Sequence, residues 1–216
     1  MLDGAELLAD RYYSPSTEKQ PLLLARSPYG RRGLVGFQYG QLFAERGFQV
    51  LVQSTRGAYG SGGELKPMVC EAADGQATVA WIRRQSWFPG SFGVIGASYM
   101  GFAGWALATD PPPELKALAL HIVPHRWNTV AYPGGAYALE TTLAWANDIV
   151  GPPLSDSIIR NLIDLHRPAG ARERRLRDAF HKLPLAKAAG DLFGGKHVPY
   201  VREWLAHGPT DPFWDA

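Results

Sequence analysis

Gly96-Ala97-Ser98-Tyr99-Met100-Gly101 is where residue types and spacing in this sequence point most directly to chemistry. It follows a short apolar run, Phe92 to Gly96, and precedes a stretch rich in small residues, Tyr99 to Thr109. A serine flanked by small residues between a strand and a helix is the pattern of a nucleophile elbow. The small neighbours let the backbone turn sharply enough to expose the hydroxyl, and the helix N-terminus behind it offers N–H groups to a developing oxyanion. The chemistry would be acyl transfer through Ser98. The strict G-x-S-x-G form is not met, because Met100 holds the second glycine position and the glycine falls one residue later. A turn that merely packs a helix closely on a strand would use the same glycines, so the motif alone leaves both readings open.

Elements able to position such a serine surround it. Leu7 to Tyr13 reads as a first strand, Pro21 to Arg26 (PLLLAR) as a buried strand, and Phe48 to Gln53 (FQVLVQ) as another. Continuous apolar runs of this length mark strands covered on both faces. Helices are predicted over Leu34–Arg46, with Gly47 as the stop, over Glu71–Gln85, and over Tyr99–Thr109. Leu115 to Leu120 closes the series as a last strand. This alternation predicts an α/β fold with a doubly wound parallel sheet. Past about residue 125 the pattern becomes helical, over Ala136–Asp148, Ser155–Leu165, Ala171–Lys182 and Tyr200–Ala206, with breaks such as Gly151-Pro152-Pro153. The expected organisation is a sheet-bearing core over 1–125 and a helical cap subdomain over 126–216.

Bulk properties narrow the partners. The 22 basic and 20 acidic residues give a net charge of +2, which argues against a nucleic-acid or other polyanionic partner. Arg167, Arg172, Arg174, Arg175 and Arg177 read as a solvated helix face. The single cysteine, Cys70, allows no internal disulfide and no cysteine-paired metal site. The glycine-rich Arg56 to Gly63 loop lacks the lysine of a phosphate-binding P-loop. No apolar run approaches the ~20 residues that span a bilayer, and Met1-Leu2-Asp3-Gly4 opens without the basic and apolar regions of a secretory signal. The expectation is a cytoplasmic protein with no membrane partner, metal or cofactor.

Several separated segments then resemble one family, the Xaa-Pro dipeptidyl-peptidase-like, cocaine esterase-type α/β-hydrolases. Gly96, Ser98, Tyr99 and Gly101 reproduce its Gly-x-Ser-Tyr-x-Gly elbow, displaced glycine included. Asp3-Gly4 with Leu7 resembles its opening strand, and Arg26-Ser27-Pro28-Tyr29-Gly30 its Arg-x-Pro-Tyr segment. Gln53 to Gly57 with Gly60 to Glu64 resembles its Arg-Gly-x-x-x-Ser-x-Gly loop. Glu71, Asp74, Thr78, Trp81, Gln85-Ser86-Trp87 and Gly90 match its helix before the elbow strand. The likeness covers about residues 3–105 and loosens beyond, where Tyr132-Pro133-Gly134-Gly135 and Trp145 resemble the start of the family's cap.

The resemblance implies a serine hydrolase acting on a small ester or amide through an acyl-enzyme on Ser98. It implies an oxyanion hole made of the Tyr99 backbone N–H and the Tyr29 hydroxyl. Trp127, Tyr132 and Trp145 are either acyl-pocket residues or cap core, and Tyr132 and Trp145 are the substrate-binding candidates. The triad acid and base are another matter. In the family they come late, and no strand pattern after Leu120 could carry their loops. His121 and His125 follow the last strand, while His166, His181, His197 and His207 fall in the cap; Asp148 and Asp156 are the local acids. The expectation is that acid and base come from a C-terminal half beyond this sequence, as part of a longer chain or a separate polypeptide; the partner expected is that half or a second copy in a homo-oligomer. The alternative is a non-catalytic partial or remnant scaffold.

Overall fold

The structure, a computed structural model, describes residues 1–15, 19–150, 171–185, 192 and 198–215. The described residues divide into two compact units, one over Met1–His125 and one beginning at Arg126.

The first unit is built on five strands: β1 (Ala9–Tyr12), β2 (Leu22–Ser27), β3 (Gln49–Ser54), β4 (Phe92–Ala97) and β5 (Leu115–His121), in the order β1-β3-β2-β4-β5. β2, β3, β4 and β5 pair in parallel, while β1 pairs antiparallel with β3. The all-parallel expectation is therefore corrected at the edge. Direction is a property of the pairing, which nothing in the residues of β1 encodes, and an antiparallel edge strand on a parallel sheet is common.

Alternate residues of each strand face two different cores. Leu22, Leu24, Leu51, Phe92 and Val94 pack with Val79 and Ile82 of α3 (Glu71–Ile82) and Leu107 of α4 (Tyr99–Ala108). Ala25, Val50, Val52 and Ile95 pack with Val35 and Met100, bordered by Tyr29, Tyr39 and Phe43. The helical stretch predicted over Leu34–Arg46 is present as α1 (Gly33–Val35), a π-helical segment (Gly36–Gln41) and α2 (Leu42–Ala44). Central strand β3 is buried along its whole length, as its apolar run required.

Two glycine-bearing segments act as staples. Arg56 reaches Asp74 at 2.6 and 2.9 Å and Asp3 at 2.5 Å. Ser61 Oγ donates to the Ser54 carbonyl and accepts from Leu8 N–H, both at 2.9 Å. Much of the Arg-Gly-x-x-x-Ser-x-Gly loop therefore ties the N-terminus to β3 and α3.

The second unit contains α5 (Trp127–Ala131), α6 (Leu139–Val150), α7 (Ala171–Phe180) and α8 (Pro199–Ala206), with 3₁₀ turns at Pro133–Gly135 and Pro212–Asp215. The helix predicted over Ser155–Leu165 lies outside the described residues. Trp127, Trp145 and Trp204 have mutual ring separations of 5.8, 5.1 and 5.9 Å, and Tyr200 adds a ring 5.1 Å from Trp204. On α7, Leu176 and Ala179 are buried while Arg174, Arg177 and Asp178 are exposed; Arg167 lies outside the described residues. No described helix is long and apolar enough to cross a membrane.

Candidate active site

β4 runs into Ser98, and α4 begins at Tyr99. Ser98 adopts φ 54° and ψ −124°, a left-handed conformation that side chains rarely hold. The surroundings impose it. The Ser98 N–H donates to the His121 carbonyl at 3.1 Å, at the end of β5, and the Ser98 carbonyl accepts from Phe102 N–H at 3.0 Å. The serine is half-buried.

Close packing explains the displaced glycine. A Cβ on Gly96 would lie 2.6 Å from the Met100 carbonyl carbon and 2.8 Å from Gly101 N, so the first turn of α4 folds directly over the strand end. A Cβ on Gly101 would collide with the Val123 side chain and approach the Gly96 carbonyl at 3.1 Å. Met100 instead turns into the core, 2% exposed, beside Ala25, Val50 and Ile95. The glycine is needed where α4 meets the chain after β5, one residue beyond the usual position.

Tyr99 is 1% exposed, and its hydroxyl donates to Glu71 Oε1 at 2.6 Å while accepting from Met68 N–H at 3.3 Å. Burial, and then the Glu71 charge, pushes its phenol well above the usual tyrosine range. Below it sits a buried ion pair, Arg26 Nη2 to Glu71 Oε2 at 3.0 Å, with side chains 2% and 3% exposed. Arg26 also donates to the Glu71 carbonyl at 2.6 Å and to Gln53 Oε1 at 3.1 Å. The sequence marked Arg26 and Glu71 only through the family segments. The missed signal was an arginine ending an apolar strand run: such a charge, once buried, needs a partner.

Tyr29 follows β2 on the same sheet edge as the elbow, since β2 and β4 run parallel. Its N–H donates to Ser27 Oγ at 3.0 Å, and its half-buried ring borders the cluster that holds Ile95 and Met100. Tyr39, from the π-helical segment, borders the same cluster and was not among the sequence candidates. Burial raises its phenol, with the Ala97 backbone pulling the other way and Tyr29 close enough to add to the rise. Two tyrosines therefore stand at this end of the sheet, one of them at the residue before Ser98.

Among the described residues no imidazole hydrogen-bonds to Ser98. His121 contributes its carbonyl, while its side chain and that of His125 are exposed. His166, His197 and Asp156 lie outside the described residues, and the Asp148 side chain is exposed. In the second unit His207 Nδ1 pairs with Asp211 Oδ2 at 3.0 Å and stacks on Phe213 at 4.2 Å. Tyr132 and Trp145 belong to that unit. The Tyr132 hydroxyl donates to the Trp204 carbonyl at 3.1 Å, and Trp145 joins the tryptophan cluster. No group of three or more His, Cys, Asp or Glu able to hold a metal ion occurs among the described residues.

Comparison with known proteins places this geometry. The sequence profile of the X-Pro dipeptidyl-peptidase (S15 family) matches residues 3–216. Cocaine esterase of Rhodococcus sp. (strain MB1 Bresler) is 33% identical over 227 aligned residues, which take in 100% of this chain and 39% of that protein. Among solved structures, an aminopeptidase from a Thaumarchaeota archaeon superposes with TM-score 0.72 at 22% identity, and an α-amino acid ester hydrolase with 0.70 at 21%. Each match covers this whole chain but only 38% and 37% of the other. The chain thus spans about two fifths of the length of these relatives, with the α/β-hydrolase fold they share. It belongs to the X-Pro dipeptidyl-peptidase (S15) family of serine hydrolases.

Proposed function

We propose that this chain carries the nucleophile of an esterase- or amidase-type serine hydrolase, with Ser98 forming the acyl-enzyme. The observation that carries the reading is the Ser98 backbone at φ 54°, held between the end of β5 and the first turn of α4. Strain of this kind costs ~1–3 kcal/mol and persists where surrounding structure over-determines it, often at active sites. The hydroxyl attacks a small ester or amide carbonyl, and the oxygen that becomes negative is met by the Tyr99 N–H and the Tyr29 hydroxyl. Losing one such donor typically lowers the rate ~10²–10³-fold. Tyr132 and Trp145 are retained as acyl-binding residues on the family resemblance. One cysteine in 216 residues suits a reducing compartment, and the reading assigns the protein to the cytoplasm.

The acid and base are assigned to residues outside those described, in a C-terminal half carried by a longer chain or a second polypeptide. A specific observation favours a second reading, a scaffold that binds acyl compounds without turnover: no described histidine is bonded to Ser98. A serine without its base keeps only oxyanion and binding contributions, ~10³–10⁴-fold over water in well-studied triads. Labelling with a fluorophosphonate, using Ser98→Ala as control, separates the two. Labelling that depends on Ser98 supports an assembled nucleophile with a base in reach. No labelling of the folded chain favours the scaffold, and restoration by the added C-terminal half of a relative returns the decision to the first reading.

A further inference from the structure

The residue after Ser98 is held from two ends. Its backbone begins α4, and its hydroxyl is anchored 2.6 Å from Glu71 Oε1, on the first residue of a different helix. Glu71 is in turn held by Arg26, on a strand two places from the edge of the sheet. At the Nη2–Oε2 contact the two groups meet at 3.0 Å without hydrogen-bond alignment, and neither atom has another partner among the described residues. Charge alone therefore joins them at that end. The remaining groups are satisfied by neighbours: Gln53 Oε1 accepts from both Arg26 Nε and Thr78 Oγ1, and Thr78 also donates to the Asp74 carbonyl.

A buried ion pair is a poor source of stability, since well-packed apolar residues of similar volume often do as well or better. What such a pair can supply is a fixed location for an acceptor. Tyr99 is 1% exposed, so its hydroxyl has no solvent alternative to Glu71. We propose that Arg26 and Glu71 are positioning residues for the elbow, acting through the Tyr99 side chain to fix the backbone N–H that follows Ser98. This rests on reading Ser98 as the nucleophile only for its catalytic consequence; the placement of the amide stands by itself.

The test pairs Arg26→Met with Glu71→Leu, which removes the tether without stranding a buried charge. Gln53 keeps Thr78 as its partner. Three quantities are measured: the thermal midpoint, the water-exchange rate of the residue-99 amide by NMR, and the fluorophosphonate labelling rate. A merely structural pair would register in the midpoint and leave one amide untouched. The variant leaves the buried Tyr99 hydroxyl without its acceptor, so a fall in the midpoint is expected for either role. Positioning predicts in addition residue-99 exchange faster by roughly tenfold or more relative to its neighbouring amides, as for loss of a hydrogen bond to a charged group. Labelling should slow by at least a similar factor. Tyr99→Phe, which deletes only the hydroxyl, should move the same amide and serves if the double variant does not fold. Unchanged exchange at residue 99 in a folded variant overturns the proposal, as does unchanged labelling. If the unaltered chain is not labelled even with the added C-terminal half of a relative, the catalytic reading of Ser98 fails, and amide exchange still decides the positioning.

Discussion

The Ser98 N–H donates to the His121 carbonyl at 3.1 Å, so the last residue of β5 clamps the candidate nucleophile by its backbone rather than by its imidazole. The register agrees, with Ala97 opposite His121. The elbow is consequently a joint between β4, β5 and α4, and changes at that joint should be felt in both stability and reactivity.

Ser98→Gly should make the protein more stable and unreactive. Glycine adopts φ 54° without side-chain strain, worth ~1–3 kcal/mol, against ~0.5–1 kcal/mol of added unfolded-state entropy. A net gain of about 1 kcal/mol corresponds to a thermal midpoint rise of about 2–4 °C. Calorimetry beside Ser98→Ala, which keeps the strain, checks it; equal midpoints for the two variants would contradict it.

Gly96→Ala should damage the same joint from below. The added methyl would meet backbone atoms of Met100 and Gly101 at 2.6 and 2.8 Å, and backbone cannot rotate away as a side chain can. The expected loss is about 1–3 kcal/mol, read in denaturant midpoints, together with reduced labelling of Ser98. A neutral substitution would mean that α4 can slide off the strand end.

Tyr200→Phe in the helical unit should be neutral or stabilising, by up to about 1 kcal/mol. The Tyr200 ring is 4% exposed and packs against Trp204 and Trp145, yet its buried hydroxyl has no hydrogen-bond partner among the described residues. Removing the hydroxyl keeps the packing and deletes a desolvation cost. A marked fall in the midpoint would reveal a partner for that oxygen.

Alkaline pH should loosen the same unit in a defined window. Burial pushes the Tyr137 phenol up to about 12 from an ordinary value of 10.0. A folded-state value above the unfolded one means the stabilisation is whole below about pH 10 and is lost as the pH climbs toward 12. Tyr137→Phe should flatten that part of the stability curve, measured by urea unfolding at stepped pH. An unchanged slope would assign the loss to other tyrosines.

Legibility in the sequence followed how local each feature was. The run into Gly96, Ser98 and the small residues of α4 are contiguous, and the elbow formed where the motif stood. The apolar runs of β2 and β3 needed no partner to be read as strands. The direction of β1 did, because pairing with β3 joins segments some forty residues apart. The stretch Leu34–Arg46 was legible as helical, while its π-helical middle, which brings Tyr39 to the Ala97 backbone, was not.

By itself the sequence determined the family, the sheet-bearing first unit and the serine at its turn, since each is written in short contiguous segments, several of them in order along the chain, whose spacing suits one local geometry. Tertiary structure alone decided what holds that serine. Arg26, Glu71 and Tyr99 lie on a strand and two helices far apart in the chain, and only burial makes their charges and hydroxyl depend on one another. Desolvation turns separate polar residues into one network, and desolvation is a property of the fold.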